Sequence, residues 1–212
     1  TMERADEAYS SGDIDLAIEI WKKYASSNNS KAQNNLGMIL RDGKGVEQNF
    51  DEAVKLFILS ADSGNQYAQS NLGLMYLDGL GVTQSNSQAA KYFKLSSDQG
   101  NASAQTTLGY MHHLGVGMPI NFLRAIELYN SAANQGDSIA QRNLGYIYKT
   151  GNSEGNYKDR IYSTMWFILA ETDNDPVATN ELKKLRIEIS EDDYRASLQM
   201  VEQCFKKDFI DC

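Results

Sequence analysis

Residues 68–82 read AQSNLGLMYLDGLGV, and the equivalent stretch 36 residues earlier, at 32–46, reads AQNNLGMILRDGKGV. The same step returns an Ala-Gln pair at 104–105 and 140–141, and a Leu-Gly pair at 108–109 and 144–145. Several independent columns that share one fixed period indicate a stack of small supersecondary units. The sequence therefore predicts an array of structural repeats.

Each repeat reads as two helices, of which the first is predicted from Ala32 to about Asp42. Ala32, Leu36 and Leu40 recur at i, i+4 and i+8, which places them on one face. Gly37 lies beside that face, and a glycine inside a helix costs about 1 kcal/mol relative to alanine. Because this glycine returns in four repeats, we expect a close approach of another helix there.

The second helix is predicted to begin near Asp51, a good N-cap residue, and to end at Gly64, since glycine is common just after a helix. Its buried positions recur as small and aromatic residues. In the first full repeat they are Ala53, Leu56, Phe57, Ser60 and Ala61, and the later aromatic residues are Phe93, Tyr129 and Phe167.

The pattern A-Q-x-x-L-G-x-x-Y-x-D-G-x-G-V, followed by a D/N-x-x-x-A-x-x-x-F helix, resembles the Sel-1-like repeat, a relative of the tetratricopeptide repeat with 36 or more residues per unit. The resemblance covers about residues 5–205 and implies an all-α fold, a right-handed α-solenoid of about five antiparallel helix pairs. We expect one domain over 1–212, with an atypical N-terminal repeat at 1–31. Repeats at 32–67, 68–103, 104–139 and 140–177 follow, and a C-terminal cap occupies 178–212, with its last helix starting after Ser190.

Charge and composition exclude several classes of partner. Among 212 residues, Lys+Arg number 20 and Asp+Glu 28, for a net charge of -8. An acidic chain with no basic run is a poor binder of nucleic acids and lacks a polybasic patch for anionic membranes. No stretch approaches the length of a membrane-spanning helix, so we expect neither a nucleic-acid partner nor membrane insertion.

Few residues suggest chemistry. The Gly-x-Gly turns at 43–45, 79–81 and 115–117 could suggest phosphate loops, but they lack the G-K-[ST] sequence and match turns between helices. His112 is predicted to face inward and His113 outward, so a shared metal is not expected. We therefore predict no cofactor, no metal and no catalytic residue.

Two cysteines, Cys204 and Cys212, lie near the C-terminus. They could bond only if the last helix ends near Lys207 and the tail folds back; otherwise they are two unrelated thiols. The resemblance to bacterial members favours a disulfide, which would imply an oxidising compartment. We expect a periplasmic or secreted protein, although no leader is visible and Thr1-Met2 could follow a removed signal peptide.

The resemblance implies that first helices line a concave groove, and three columns of residues are predicted to face it. The columns are Asn34, Ser70, Thr106 and Arg142; Met38, Leu74, Tyr110 and Tyr146; and Arg41, Leu77, His113 and Lys149. A row of large apolar side chains flanked by polar ones suits a peptide guest. The basic residues would favour acidic guest segments near Arg142 and Lys149. The alternatives are that the second column is core and that the basic residues form an ordinary solvated face.

The leading hypothesis is a non-enzymatic protein-binding module, monomeric when free, that holds a partner protein in this groove. The resemblance allows an immunity protein against a secreted toxin, as in type VI secretion. It also allows an assembly or regulatory factor of an envelope machine such as a secretion system or motor. A cell-wall-directed hydrolase or β-lactam-binding protein is a further alternative, and an architectural role through self-association is another.

Overall fold

The computed structural model describes residues 1–151 and 158–207, which form twelve α-helices and no strand. The helices are α1 (Met2–Ser11), α2 (Ile14–Ala25), α3 (Ser30–Asp42), α4 (Phe50–Asp62), α5 (Gln66–Asp78), α6 (Asn86–Asp98), α7 (Ala102–Leu114), α8 (Phe122–Ala133), α9 (Ser138–Thr150), α10 (Arg160–Thr172), α11 (Pro176–Glu188) and α12 (Glu191–Lys206). The all-α solenoid expected from the repeat is confirmed.

The chain divides into two compact units, Thr1–Asn101 and Ala102–Cys212. In the first unit, α1 packs with α2, α3 with α4 and α5 with α6 as helix hairpins. In the second unit, α7 packs with α8 and α9 with α10 in the same way. Each hairpin therefore combines a first helix and a second helix of one repeat.

Side-chain caps fix where the helices begin. The predicted cap Asp51 is wrong by two residues, because Asn49 caps α4 by accepting a hydrogen bond from the backbone N–H of Glu52. Asn49 is extended, with φ −146°, and its own N–H donates to the carbonyl of Leu40 at 2.9 Å. The equivalent contact joins Ser85 N–H to the Tyr76 carbonyl at 2.8 Å. This backbone bond closes the loop between the two helices of a repeat.

The helical glycines provide the close approach that their recurrence predicted. A Cβ atom at Gly37 would lie 2.7 Å from Phe57 Cε1, and one at Gly73 would lie 2.9 Å from Phe93 Cε1. In the second unit, Tyr129 and Phe167 occupy the same position over Gly109 and Gly145. Each ring is fully buried, so the absence of a side chain on the first helix makes room for an aromatic ring of the second.

The last hairpin departs from the pattern. Helix α11 packs on α10, and α12 also packs on α10 rather than pairing with α11. The Ser197 hydroxyl of α12 donates to the Ile161 carbonyl of α10 at 3.0 Å. Among the described helices, none pairs with α11 as a second helix. The position of the repeat glycine is therefore open on α11, and Lys183 is exposed there. The predicted start of α12 after Ser190 is confirmed, with the Ser190 hydroxyl accepting from the N–H of Asp193.

Candidate functional site between first helices

In the first unit, the first predicted groove column is not open to solvent. Asn34 and Ser70 are 5% and 8% exposed, so the expectation that they face solvent was wrong. The Asn34 amide oxygen accepts a hydrogen bond from Asn71 Nδ2 at 3.0 Å. This column therefore joins α3 to α5 in place of presenting free polar groups.

The other predicted residues of the first unit are half-buried. Met38 packs beside the core that contains Phe57 and Leu72. Arg41 donates from Nη1 to Asn71 Oδ1 at 2.9 Å and from Nε to Asp42 Oδ1 at 2.7 Å. Its charge is therefore engaged within the unit. Leu74 and Leu77 are likewise half-buried.

In the second unit, the apolar column is partly available. Tyr110 on α7 is 48% exposed, as expected for a contact residue. Tyr146 on α9 is half-buried and meets Phe167 edge-on, with ring centroids 5.2 Å apart. Tyr146 thus has a packing role, which is the alternative considered for this column.

Two predicted groove residues of the second unit, Arg142 and Lys149, are paired with carboxylates of the same unit. Arg142 Nη1 lies 2.6 Å from Asp175 Oδ2, and the Asp175 side chain is only 5% exposed. Lys149 Nζ donates to Glu181 Oε2, whose side chain is 8% exposed. These hydrogen bonds from Lys149, with others from Lys184, lower the pKa of Glu181 below its ordinary value. The expected basic strip is therefore neutralised internally.

The prediction that His113 faces outward is wrong. Its ring is half-buried and lies edge-on to Phe122 and Tyr129, with centroids 5.1 and 6.4 Å away. Burial lowers the pKa of His113, and burial together with the nearby Arg124 charge lowers the pKa of His112. Over residues 1–151 and 158–207, no group of three or more His, Cys, Asp or Glu side chains could hold a metal ion.

A cleft of about 300 Å³ lies between α7 and α9 in the second unit. Three predicted groove residues line it, Thr106, Tyr110 and Arg142. Its other lining residues are Ser103, Thr107, Asp137, Ile139 and Asn143. The cleft combines hydroxyl, amide and charged groups with two exposed apolar side chains, Tyr110 and Ile139, each 48% exposed.

A smaller cleft of about 160 Å³ lies between α1 and α3 in the first unit, with Trp21 of α2 in its wall. Met38 is the one predicted groove residue that lines it, together with Asp6, Tyr9, Ser10, Asn35 and Ile39. The Asp6 carboxylate is held by Lys31 at 2.6 Å. Its charge is therefore already matched by the protein.

The predicted columns omit the lining residues Asp137, Ile139 and Asn143. Asn143 is one residue beyond the first column, at the position of Asn35 and Asn71, and a fourth polar column at this position was a usable signal. Asp137 caps α9 by accepting from the N–H of Ala140 at 2.8 Å. Its capping role is readable from the sequence, but its place in a cleft depends on the packing of α7 beside α9.

The described part of α12 confirms one condition for the predicted disulfide. The helix ends at Lys206, with Lys207 as its C-cap, and Cys204 is 3% exposed. Cys212 lies outside the described residues, so its bond to Cys204 stays a prediction. None of the described helices is long and apolar enough to span a membrane.

Comparison with known proteins identifies the family of this chain. The Sel1 repeat family model matches residues 30–65, 66–101, 102–137 and 138–175, and the chain belongs to this family. Sel1 repeats are generally protein–protein interaction modules rather than enzymes. A search of curated proteins finds no match.

Solved structures share the fold. A Sel1 repeat protein from Oxalobacter formigenes is 29% identical, with 86% of this chain and 74% of that chain covered and a TM-score of 0.76. A protective antigen present in uropathogenic Escherichia coli strains is 31% identical, with a TM-score of 0.80; the match covers 97% of this chain but 45% of that one. An immunity protein from Pseudomonas aeruginosa is 16% identical, with 97% and 83% covered and a TM-score of 0.58, and shares the fold alone.

Proposed function

We propose that the chain is a protein-binding module that holds a segment of a partner against the first helices of its second unit. The observation that carries this proposal is the cleft between α7 and α9, where Tyr110 and Ile139 stand exposed over polar walls. Tyrosine is enriched at contact hot spots because its ring supplies a large contact area and its hydroxyl a polar handle. The polar groups around Tyr110 and Ile139 can fix the position of an extended partner segment along the cleft.

Within this class, we propose that the partner is a toxin that the chain neutralises. Support comes from the immunity protein of the same fold and from the acidic, protein-binding character of the chain. An immunity protein against a secreted toxin acts where the toxin arrives, so we propose a periplasmic or secreted location. A disulfide between Cys204 and Cys212 would suit that compartment.

The binding proposal is tested by affinity capture from the native host with wild type and Tyr110→Ala as baits. Tyr67→Ala is the matched control, because Tyr67 is also an exposed tyrosine of a first helix, 60% exposed, but does not line the cleft. We expect a protein that wild type and Tyr67→Ala retain and Tyr110→Ala loses. Circular dichroism of all three baits checks that they are folded. Equal retention by Tyr110→Ala would refute the cleft as the binding site.

The toxin role is tested separately on the captured protein. We expect that its expression alone arrests growth and that co-expression of the wild-type chain restores growth. Tyr110→Ala should fail to restore it, and Tyr67→Ala should succeed. A captured protein that is harmless when expressed alone would refute the immunity role and leave the binding role standing.

A further inference from the structure

The charge balance of the cleft differs from the one that the sequence suggested. Two charged residues, Asp137 and Arg142, line it. Arg142 is engaged by Asp175 at 2.6 Å, so its charge is already matched inside the unit. No cationic side chain among the described residues pairs with Asp137, which uses Oδ1 to cap α9. The net charge that the cleft presents to a guest is therefore negative.

Hydroxyl groups form part of the cleft wall beside Asp137, where Ser103, Thr106 and Thr107 line it. Thr106 is 6% exposed and its hydroxyl oxygen is buried behind the wall, out of reach of a guest. Thr107 is half-buried, and its hydroxyl donates to the Ser103 carbonyl at 2.9 Å. Because this bond uses the hydroxyl hydrogen, the Thr107 oxygen can still accept a hydrogen bond from a guest with N–H donors.

Apolar and aromatic surface lies beside these polar groups. Tyr110 and Ile139 are each 48% exposed, and both line the cleft. A long aliphatic stem can pack on such surface while its charged end reaches a carboxylate. A guanidinium can also stack on a tyrosine ring.

We propose that the α7–α9 cleft receives an arginine side chain of the partner protein. The stem packs on Tyr110 and Ile139, and the guanidinium meets Asp137 and the hydroxyl oxygen of Thr107 in the polar wall. Arginine fits better than lysine because its planar head carries five N–H donors that can serve a carboxylate and a hydroxyl at once. The inference rests on the proposed function, which it extends by naming the chemistry of the contact.

An acidic guest, which the basic columns favoured in the sequence, does not suit this arrangement. Its carboxylate would lie near Asp137 and would be repelled by it. Arg142 offers it little compensating charge, because its guanidinium already pairs at 2.6 Å with Asp175, whose side chain is only 5% exposed. The cleft therefore discriminates against acidic segments.

The test uses the full chain and a defined probe, the tripeptide Ac-Gly-Arg-Gly-NH2, titrated into isotope-labelled protein and followed by NMR. Ac-Gly-Glu-Gly-NH2 is the matched probe of opposite charge. We expect the arginine peptide to shift amide signals of Ser103–Tyr110 and Asp137–Asn143, and the glutamate peptide to leave them in place. No shift with arginine, or equal shifts with both peptides, would overturn the proposal.

The charge is isolated by Asp137→Asn, because asparagine is itself a good N-cap and Asn29 and Asn65 already cap α3 and α5 at this position. We expect the variant to keep its fold and bind the arginine peptide about fivefold to tenfold more weakly. Asp13→Asn, which changes the capping aspartate of α2, is the matched control and should bind like wild type. Unchanged affinity in Asp137→Asn would overturn the assignment of Asp137.

The two proposals can fail independently. Loss of partner capture in Tyr110→Ala together with no arginine binding would leave the protein-binding function and refute the arginine site. Arginine binding that depends on Asp137, together with unchanged capture by Tyr110→Ala, would leave the site and refute its role in holding the partner.

Discussion

Replacing Gly73 with valine tests the close contact between the two helices of a repeat. A Cβ atom at this position would lie 2.9 Å from Phe93 Cε1 and 3.0 Å from Cδ1 and Cζ, whereas carbon atoms pack best at about 3.5–4.0 Å. Phe93 is fully buried, so its ring has little room to retreat, and valine adds two methyl groups beyond the Cβ. Overpacking of this kind costs about 1–3 kcal/mol.

Helix propensity acts in the opposite direction, since valine is favoured over glycine in a helix by a few tenths of a kcal/mol. Because three carbons enter a contact already too short for one, we place the net loss near the upper end, about 2–3 kcal/mol. For a chain of this size that corresponds to a fall in Tm of roughly 4–12 °C.

Urea and thermal unfolding followed by circular dichroism measure this loss. Phe93→Leu should lower stability alone, but combined with Gly73→Val it should cost less than the sum of the two changes, because the smaller side chain makes room for valine. An unchanged unfolding midpoint in Gly73→Val, or strict additivity in the double variant, would refute the steric explanation of the recurring glycine.

Two further predictions concern the second unit. Glu181→Gln should lower the unfolding free energy at neutral pH by about 1.5–3 kcal/mol, the contribution of hydrogen bonds to a charged group. Lys149 and Lys184 lower the folded-state pKa of Glu181 below 4.5, so this stabilisation is present above pH 4.5 and is lost as the pH falls through the lower folded value. The unfolding free energies of the two proteins, measured by urea titration, should therefore converge from neutral to acidic pH. A difference that stays constant with pH would contradict the pairing. Cys204 and Cys212 of protein exported by its native host should resist thiol reagents until reduced, as mass spectrometry of alkylated protein can show, and two freely alkylated thiols would exclude the disulfide.

The repeat made most of the fold predictable. Small and aromatic residues recur at a fixed 36-residue step. Their positions predict both helices and the glycine contact, since those features depend on spacing within one repeat. The start of α4 was less predictable, because Asn49 and Asp51 are both good caps. The structure selects Asn49, whose N–H also closes the loop on the Leu40 carbonyl, a contact that no local pattern reveals.

The candidate site was harder to predict because it depends on how one first helix packs on the next. Helical periodicity correctly placed Thr106, Tyr110 and Arg142 beside one another, and all three line the α7–α9 cleft. It could not show that Asp175, a repeat later, would neutralise Arg142. It also predicted an outward-facing His113, although the imidazole ring packs edge-on against Phe122 and Tyr129. Whether a residue at the edge of a helix face is buried depends on side chains of neighbouring helices, and periodicity within one helix does not show which side chains those are.

The column that begins with Arg41 is better explained as part of the scaffold than as a binding surface. Arg41 reaches Asn71 on the next first helix, and Lys149 reaches Glu181 at the equivalent position. In α11 the same column position is Ile187, and no later first helix among the described residues covers it. Ile187 is accordingly 88% exposed.

The basic side chains of this column thus bind the next first helix of the same unit. The sequence alone would suggest that they are free to bind a partner. A partner protein can pair only with a charged side chain that is not already paired within this protein. In the second unit's cleft that side chain is Asp137, whose carboxylate caps a helix and pairs with no described cation. The proposed cationic contact on the partner therefore rests on how the repeats stack, whereas the first-helix columns taken alone suggest an acidic one.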